Sequence, residues 1–212
     1  FTHYIFYLAP PAVFAAMAIT ASNGKETLTG LASVIISAWF AQIFFLVIIL
    51  FGTLAIFKVP LKEFIYAIKE PFLIAFATTS SAAALPQTLT NLEKYGIPKK
   101  LIGIVAPLSL SLNLNGSTIY LGMATLFVAQ AANIHLSMDQ QILILLVLKV
   151  TSKGVAGIPR ANFVVLAAIF PTFGLPTEAL GLLLGIDVLI DPVRTSVNVI
   201  SHCAAPTVIA KW

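Results

Sequence analysis

From Thr27 to Phe57 the chain carries no charged residue. That run exceeds the roughly 20 residues an α-helix needs to cross a bilayer. The composition agrees: 59% of residues are hydrophobic and 9% charged, against about 25% charged in soluble domains. The expected class is an all-α integral membrane protein. The net charge of +4 comes from scattered lysines, with no basic stripe interleaved with aromatics, which argues against nucleic-acid binding. The single cysteine, Cys203, precludes an internal disulfide framework and reads as a small buried residue. The chain begins at Phe1 with no methionine, cationic leader or cleavage motif, and reads as the interior of a longer protein, not as a signal peptide.

The other apolar blocks are interrupted. Tyr4 to Ala21 carries Pro10-Pro11, so its start is expected to be kinked. A polar turn, Ser22 to Glu26, precedes the uncharged run, and Pro60 ends it. Leu61 to Lys69 alternates charged and apolar residues at helical spacing and suits the membrane interface. Pro71 to Thr90 is uncharged, but its centre reads Thr78-Thr79-Ser80-Ser81-Ala82-Ala83-Ala84-Leu85-Pro86. Hydroxyl residues followed by proline suit a helix break, and Asn91 to Lys100 is aqueous. The block therefore reads as a re-entrant hairpin, whose broken backbone must be buried in protein or line a cavity.

Leu101 to Met138 is interrupted at Asn113-Leu114-Asn115-Gly116-Ser117-Thr118, an expected unwound stretch offering carbonyls and polar side chains. Gln140 to Thr177 repeats the hairpin pattern around Ser152 to Asn162. Two interrupted hairpins, each followed by a long helix with a polar centre, make an internal repeat. Such a repeat points to a secondary transporter with its site at the bilayer midplane. Close helix packing explains one small-residue interruption alone. Four in register favour a site.

The last block carries Asp187, Asp191, Arg194 and Asn198 inside the apolar stretch Gly181 to Ala210, at spacings of 4, 3 and 4. At 3.6 residues per turn they share one helix face. An ionisable residue at membrane depth costs at least a few kcal/mol and is kept where it faces protein, water or substrate. The stripe reads as a polar site, with a structural ion-pair stripe as the alternative. His202, one turn further, has two readings: a proton-exchanging group, or a neutral histidine hydrogen-bonded between helices.

Suppose Tyr4–Ala21 leaves the cytoplasm. Then Lys58, Lys62, Lys69, Lys94, Lys99, Lys100 and Lys211 fall on one side, which the positive-inside rule makes cytoplasmic. The first hairpin then enters from the cytoplasm and the second from outside, which fits alternating access. No Ser-His-Asp order, metal-ligand cluster, phosphate loop or CxxC appears, so no enzyme, no cofactor and no resident metal is expected.

Thr79-Ser80-Ser81 with Leu85-Pro86, Asn113-Leu114-Asn115-Gly116-Ser117, Gly157-Ile158-Pro159, and Asp191-Pro192-Val193-Arg194-Thr195 with Asn198 resemble the dicarboxylate/amino acid:cation symporters. Thr151-Ser152-Lys153-Gly154 and Ile209-Ala210-Lys211-Trp212 look most like that family's bacterial proton/glutamate symport proteins. The resemblance covers only the C-terminal half of the family's fold. It implies a scaffold-type helix over residues 1–26 and a transport domain over 27–212. The latter would hold a helix (27–57), hairpin one (62–92), a broken helix (100–138), hairpin two (139–177) and a second broken, polar-striped helix (178–212). It implies secondary symport of glutamate or aspartate in the bacterial inner membrane, by a multi-pass protein that forms a homotrimer when the family's N-terminal helices are present. A C4-dicarboxylate symporter or a non-transporting remnant are the alternatives.

The resemblance also assigns roles. Arg194 would bind the substrate's side-chain carboxylate, with Ser117 assisting, and Asp191 its amino group. Asn198 and Thr195 would contact the backbone end, while Ser81 and the backbone at Ile158 hold the α-carboxylate. Asn113, Asn115, Asp187 and His202 would line the cation or proton pathway, and Pro86, Gly157, Arg160 and Asn162 the gates. Three departures stand out. Asn115 and His202 occupy positions where sodium-coupled relatives carry carboxylates, Thr79 replaces a hairpin arginine, and Arg160 and Asn162 replace small residues. The first favours H+ over Na+ as coupling ion.

Overall fold

The computed structural model describes residues 25–155 and 161–212, and among them every regular element is helical. The uncharged run is one rod: α1 (Lys25–Phe44), a π-helical stretch (Phe45–Leu50) and α2 (Phe51–Ile56). The expected turn at 22–26 thus overlaps α1 at Lys25 and Glu26, and Tyr4–Ala21 lies outside the described residues.

Helices α3 (Leu61–Thr78) and α4 (Ser81–Lys94) are joined by a two-residue turn. Asn91 donates to the Ala67 carbonyl (2.9 Å) and to Glu70 (3.1 Å), and Gln87 donates to Glu70 (2.6 Å). The pairings 67/91 and 70/87 run in opposite senses along the chain, so the helices are antiparallel. The turn lies at Thr79-Ser80, among the hydroxyl residues of the expected break. Thr79 takes the left-handed conformation (φ 50°), and the Ser80 hydroxyl accepts from the Ala83 amide (3.2 Å) as N-cap. Pro86 lies inside α4. A serine cap immediately after a reversed backbone ends one helix and starts the next, so proline is not needed as the breaker.

After α5 (Lys99–Leu112) the chain breaks only at Asn113-Leu114, and α6 (Asn115–Ala131) resumes at once. The interruption is two residues, not the six from Asn113 to Thr118. Next come α7 (Met138–Thr151), opened by a Ser137/Gln140 capping box, and a 3₁₀ turn (Ser152–Val155). Beyond residues 156–160 are α8 (Ala161–Ile169) and a second 3₁₀ turn (Phe170–Phe173). The final helix, α9 (Ala179–Lys211), is unbroken over 33 residues, or about 50 Å. This corrects the expectation of a second broken helix. Pro192 removes one ladder bond but leaves the helix continuous. The Trp39 indole donates to the Leu189 carbonyl (3.0 Å), in the turn that Pro192 disturbs, and the Ser196 hydroxyl donates to Pro192's own carbonyl (2.7 Å).

Helix α9 packs against α1, α3, α4, α5, α6 and α8. Two apolar cores lie along it. One joins Leu31, Tyr120, Leu121, Leu148, Leu166 and Phe170 to Leu183, Ile186 and Ile190. The other joins Leu54, Phe64, Leu92 and Ile102 to Val199, Ile200 and Cys203. The polar stripe of α9 falls between them, at the level of the α5/α6 break. The outer faces are apolar, with Ile36 68% and Phe40 70% exposed. Among the described residues two helical stretches, Thr29–Ile56 and Lys99–Ala131, are long and apolar enough to cross a membrane.

Candidate substrate and coupling site

Arg194 is the centre of the site. Its side chain is 3% exposed, as is that of Asp187; Asp191 is more open at 17%. Nη1 lies 2.7 Å from Asp187 and Nη2 2.6 Å from Asp191. The i, i+3 and i, i+7 spacings on one helix put both carboxylates within reach of one guanidinium. Beneath it, the Tyr120 ring of α6 lies 4.4 Å from the guanidinium carbon, a cation–π contact. Asn162, in the first turn of α8, completes the surround. With its amide oxygen turned toward the guanidinium, it accepts from Nε (3.2 Å) and Nη1 (3.3 Å). Thr195 donates to Asp191 (2.9 Å) and holds that carboxylate in place.

A second group lies one turn along α9. Asn198 donates to the Ser117 hydroxyl (3.0 Å) and accepts from the Ser117 amide (3.3 Å). Ser117 is the third residue of α6, whose first amides have no helical partner, so Asn198 caps that helix from 81 residues away in sequence. Gln42 of α1 is fully buried and donates to the Gly116 carbonyl (2.9 Å). A Cβ at Gly116 would overlap the Arg194 carbonyl oxygen. Only glycine lets α6 approach α9 this closely.

Asn113 donates to the Ser201 carbonyl (2.9 Å), and Asn115 donates to Asn113 (2.7 Å). The buried His202 lies against the Asn113 backbone. Ser81 opens α4 half-buried and Pro86 is exposed on that helix. No side-chain hydrogen bond links either to Arg194 among the described residues. Gly157, Ile158 and Arg160 lie outside the described residues.

So α6, the start of α8 and the middle of α9 converge on one guanidinium between two carboxylates. This is the chemistry that the family resemblance expects of a substrate site. The sodium:dicarboxylate symporter family matches the chain over residues 1–212. The chain belongs to that family.

Among its relatives, the proton/sodium-glutamate symport protein of Bacillus caldotenax is 40% identical over 212 residues, all of this chain and 50% of that protein. The proton/glutamate-aspartate symporter of Escherichia coli (strain K12) is 38% identical over 212 residues, covering 48% of its length. That of Bacillus subtilis (strain 168) is 38% identical over 213 residues, covering 51%. The chain spans about half the length of the curated relatives it matches. Membership of a symporter family, whose members sit in membranes, accounts for the apolar outer faces.

Four contacts in this family member were not apparent from sequence: Tyr120 under Arg194, Gln42 on Gly116, Trp39 on Leu189, and Lys153. The Lys153 ammonium donates to the Leu112 carbonyl, at the C-terminal end of α5 where the helix dipole favours a cation. A buried glutamine inside an uncharged span was the one available signal. The others are cross-helix meetings that no local pattern announces. Among the described residues no three His, Cys, Asp or Glu side chains group as metal ligands.

Proposed function

We propose that this chain is the transport half of a proton-coupled symporter for acidic amino acids, glutamate or aspartate, working by alternating access. The observation that supports it is the buried Arg194 between Asp187 and Asp191, with Asp191 the more open. A guanidinium recognises a substrate carboxylate through charge-assisted hydrogen bonds. Asp191 faces outward enough to meet an ammonium, which favours an amino acid over a plain C4-dicarboxylate. The relatives named for glutamate and aspartate symport support the same substrate class.

In this reading Arg194 takes the side-chain carboxylate, Asp191 the ammonium, and Thr195 and Asn198 the backbone end. Ser81 and the Ile158 backbone hold the α-carboxylate. Helices α3/α4 and α7/α8 are two re-entrant hairpins entering from opposite faces, with gates at Pro86 and at Gly157, Arg160 and Asn162. The lysine-rich side is the cytoplasmic side of a bacterial inner membrane. The protein assembles as a homotrimer through a scaffold that includes residues 1–26, and does no covalent chemistry. The coupling path runs by Asn113, Asn115, Asp187 and His202. Uptake of radiolabelled L-glutamate into sealed vesicles tests the proposal. It predicts accumulation driven by an inward proton gradient and abolished by Arg194→Ala; accumulation that survives Arg194→Ala would refute it.

A further inference from the structure

The guanidinium of Arg194 is already engaged on every side that the described residues reach. Asp187 and Asp191 hold Nη1 and Nη2, the Tyr120 ring covers one face, and the Asn162 oxygen contacts Nε and Nη1. These partners differ in strength. The carboxylate contacts are 2.6 and 2.7 Å and charge-assisted, whereas the Asn162 contacts are 3.2 and 3.3 Å and made by a neutral amide. Hydrogen bonds between two ions are shorter and roughly twice as strong as those to a neutral acceptor. An incoming carboxylate therefore displaces Asn162 more readily than either aspartate. Asp187 is also the most deeply held, and Asp191 is retained by Thr195.

Asn162 differs from the other partners in one more respect. Asp187 and Asp191 share the rigid helix of Arg194, while Asn162 stands in the first turn of α8, on a separate arm of the chain. Exchanging the Asn162 contact therefore breaks no bond within α9.

We infer that Asn162 is a built-in placeholder for the substrate's side-chain carboxylate. Its amide oxygen occupies Arg194 when the site is empty, and substrate arrival exchanges it for a carboxylate oxygen. The inference rests on the proposed role of Arg194 in carboxylate recognition. A substrate whose side chain bears an acceptor must displace Asn162 to reach Arg194. One with a methyl side chain never competes for it. The residue thus sets affinity for acidic side chains by subtraction, since each must first replace the amide.

The test is binding of L-glutamate, L-aspartate and L-alanine to purified protein by calorimetry, for the native chain, Asn162→Ala and Asn162→Asp. Asn162→Ala removes the competitor, and affinity for glutamate and aspartate should rise about three- to tenfold. Asn162→Asp installs a charged competitor and should lower it at least tenfold. L-Alanine affinity should not follow the opposite shifts that the two variants give glutamate and aspartate. A second readout is labelling by phenylglyoxal, resolved by mass spectrometry because Arg160 and Arg194 are the only arginines. Labelling at Arg194 should quicken in Asn162→Ala and slow in Asn162→Asp. Loss of affinity in both variants would overturn the placeholder, because a merely structural asparagine moves both the same way. Native protein that fails to bind either acid defeats the underlying reading of Arg194 instead, and the labelling rates then judge the Asn162 contact alone.

Discussion

Asn198 and Ser117 pair through two hydrogen bonds across the α6–α9 contact, one from side chain to side chain and one from backbone to side chain. The pairing ties the restarted helix after the break to the polar stripe. Asn198→Ala strips the cap from the Ser117 amide and leaves it buried without a partner, at a cost of about 2 kcal/mol. Ser117→Ala keeps the amide-to-Asn198 bond and should cost about half as much. Thermal unfolding of both variants in detergent checks the order. Equal losses would mean that the backbone cap carries no weight.

The two aspartates on Arg194 should separate stability from binding. Asp187→Ala removes the deeper partner and leaves a buried cation half neutralised, which should destabilise by about 3 kcal/mol. Asp191→Ala acts on a more open group, so it should cost less stability while abolishing glutamate binding. Unfolding temperature and calorimetric affinity, measured on the same preparations, give the comparison. A binding loss confined to Asp187→Ala would reverse the two roles.

Gly116 is where α6 and α9 touch. Gly116→Ala places a methyl against the Arg194 carbonyl oxygen, and backbone cannot yield as a side-chain tip can. The expected loss is about 2 kcal/mol or more, with a parallel loss of substrate affinity because Arg194 itself must shift. Gly103→Ala, where a Cβ meets nothing within 4 Å, is the control and should raise helix stability slightly. Similar unfolding temperatures for the two variants would refute the close-approach argument.

Much of this arrangement was legible in the chain. Helical class followed from the uncharged Thr27–Phe57 run, and the meeting of Asp187, Asp191 and Arg194 followed from spacing on one helix, because both are local properties. Where sequence reasoning went astray, tertiary contacts decided. The second broken helix is continuous, with Pro192 inside it, and Pro86 lies inside α4. In the turn before Pro192 a tryptophan from α1 donates to the Leu189 carbonyl. The real turn is at Thr79, a β-branched residue in a left-handed conformation that it adopts at a cost. Nor could spacing reveal that Asn162 of α8 would meet Arg194, since 32 positions separate them and the pairing exists only once the helices pack.

The final prediction concerns the coupling ion. Asn115 donates its amide to Asn113, and His202 is buried against the Asn113 backbone, so neither presents a carboxylate to a metal cation. Sodium is a hard cation that prefers anionic or carbonyl oxygen, and an imidazole serves it poorly. Near the break, the Lys153 ammonium already bonds the Leu112 carbonyl at the end of α5. Substrate uptake should therefore change by less than twofold when sodium is replaced by choline at fixed pH, and should fall at least tenfold when the proton gradient is collapsed. Vesicle uptake with ionophores measures both arms. Lys153→Met removes the internal ammonium and leaves the carbonyl for an external ion, so any sodium stimulation should grow in that variant. A steep, saturable sodium requirement in the native protein would show that the remaining oxygens suffice and that coupling does not rest on protons.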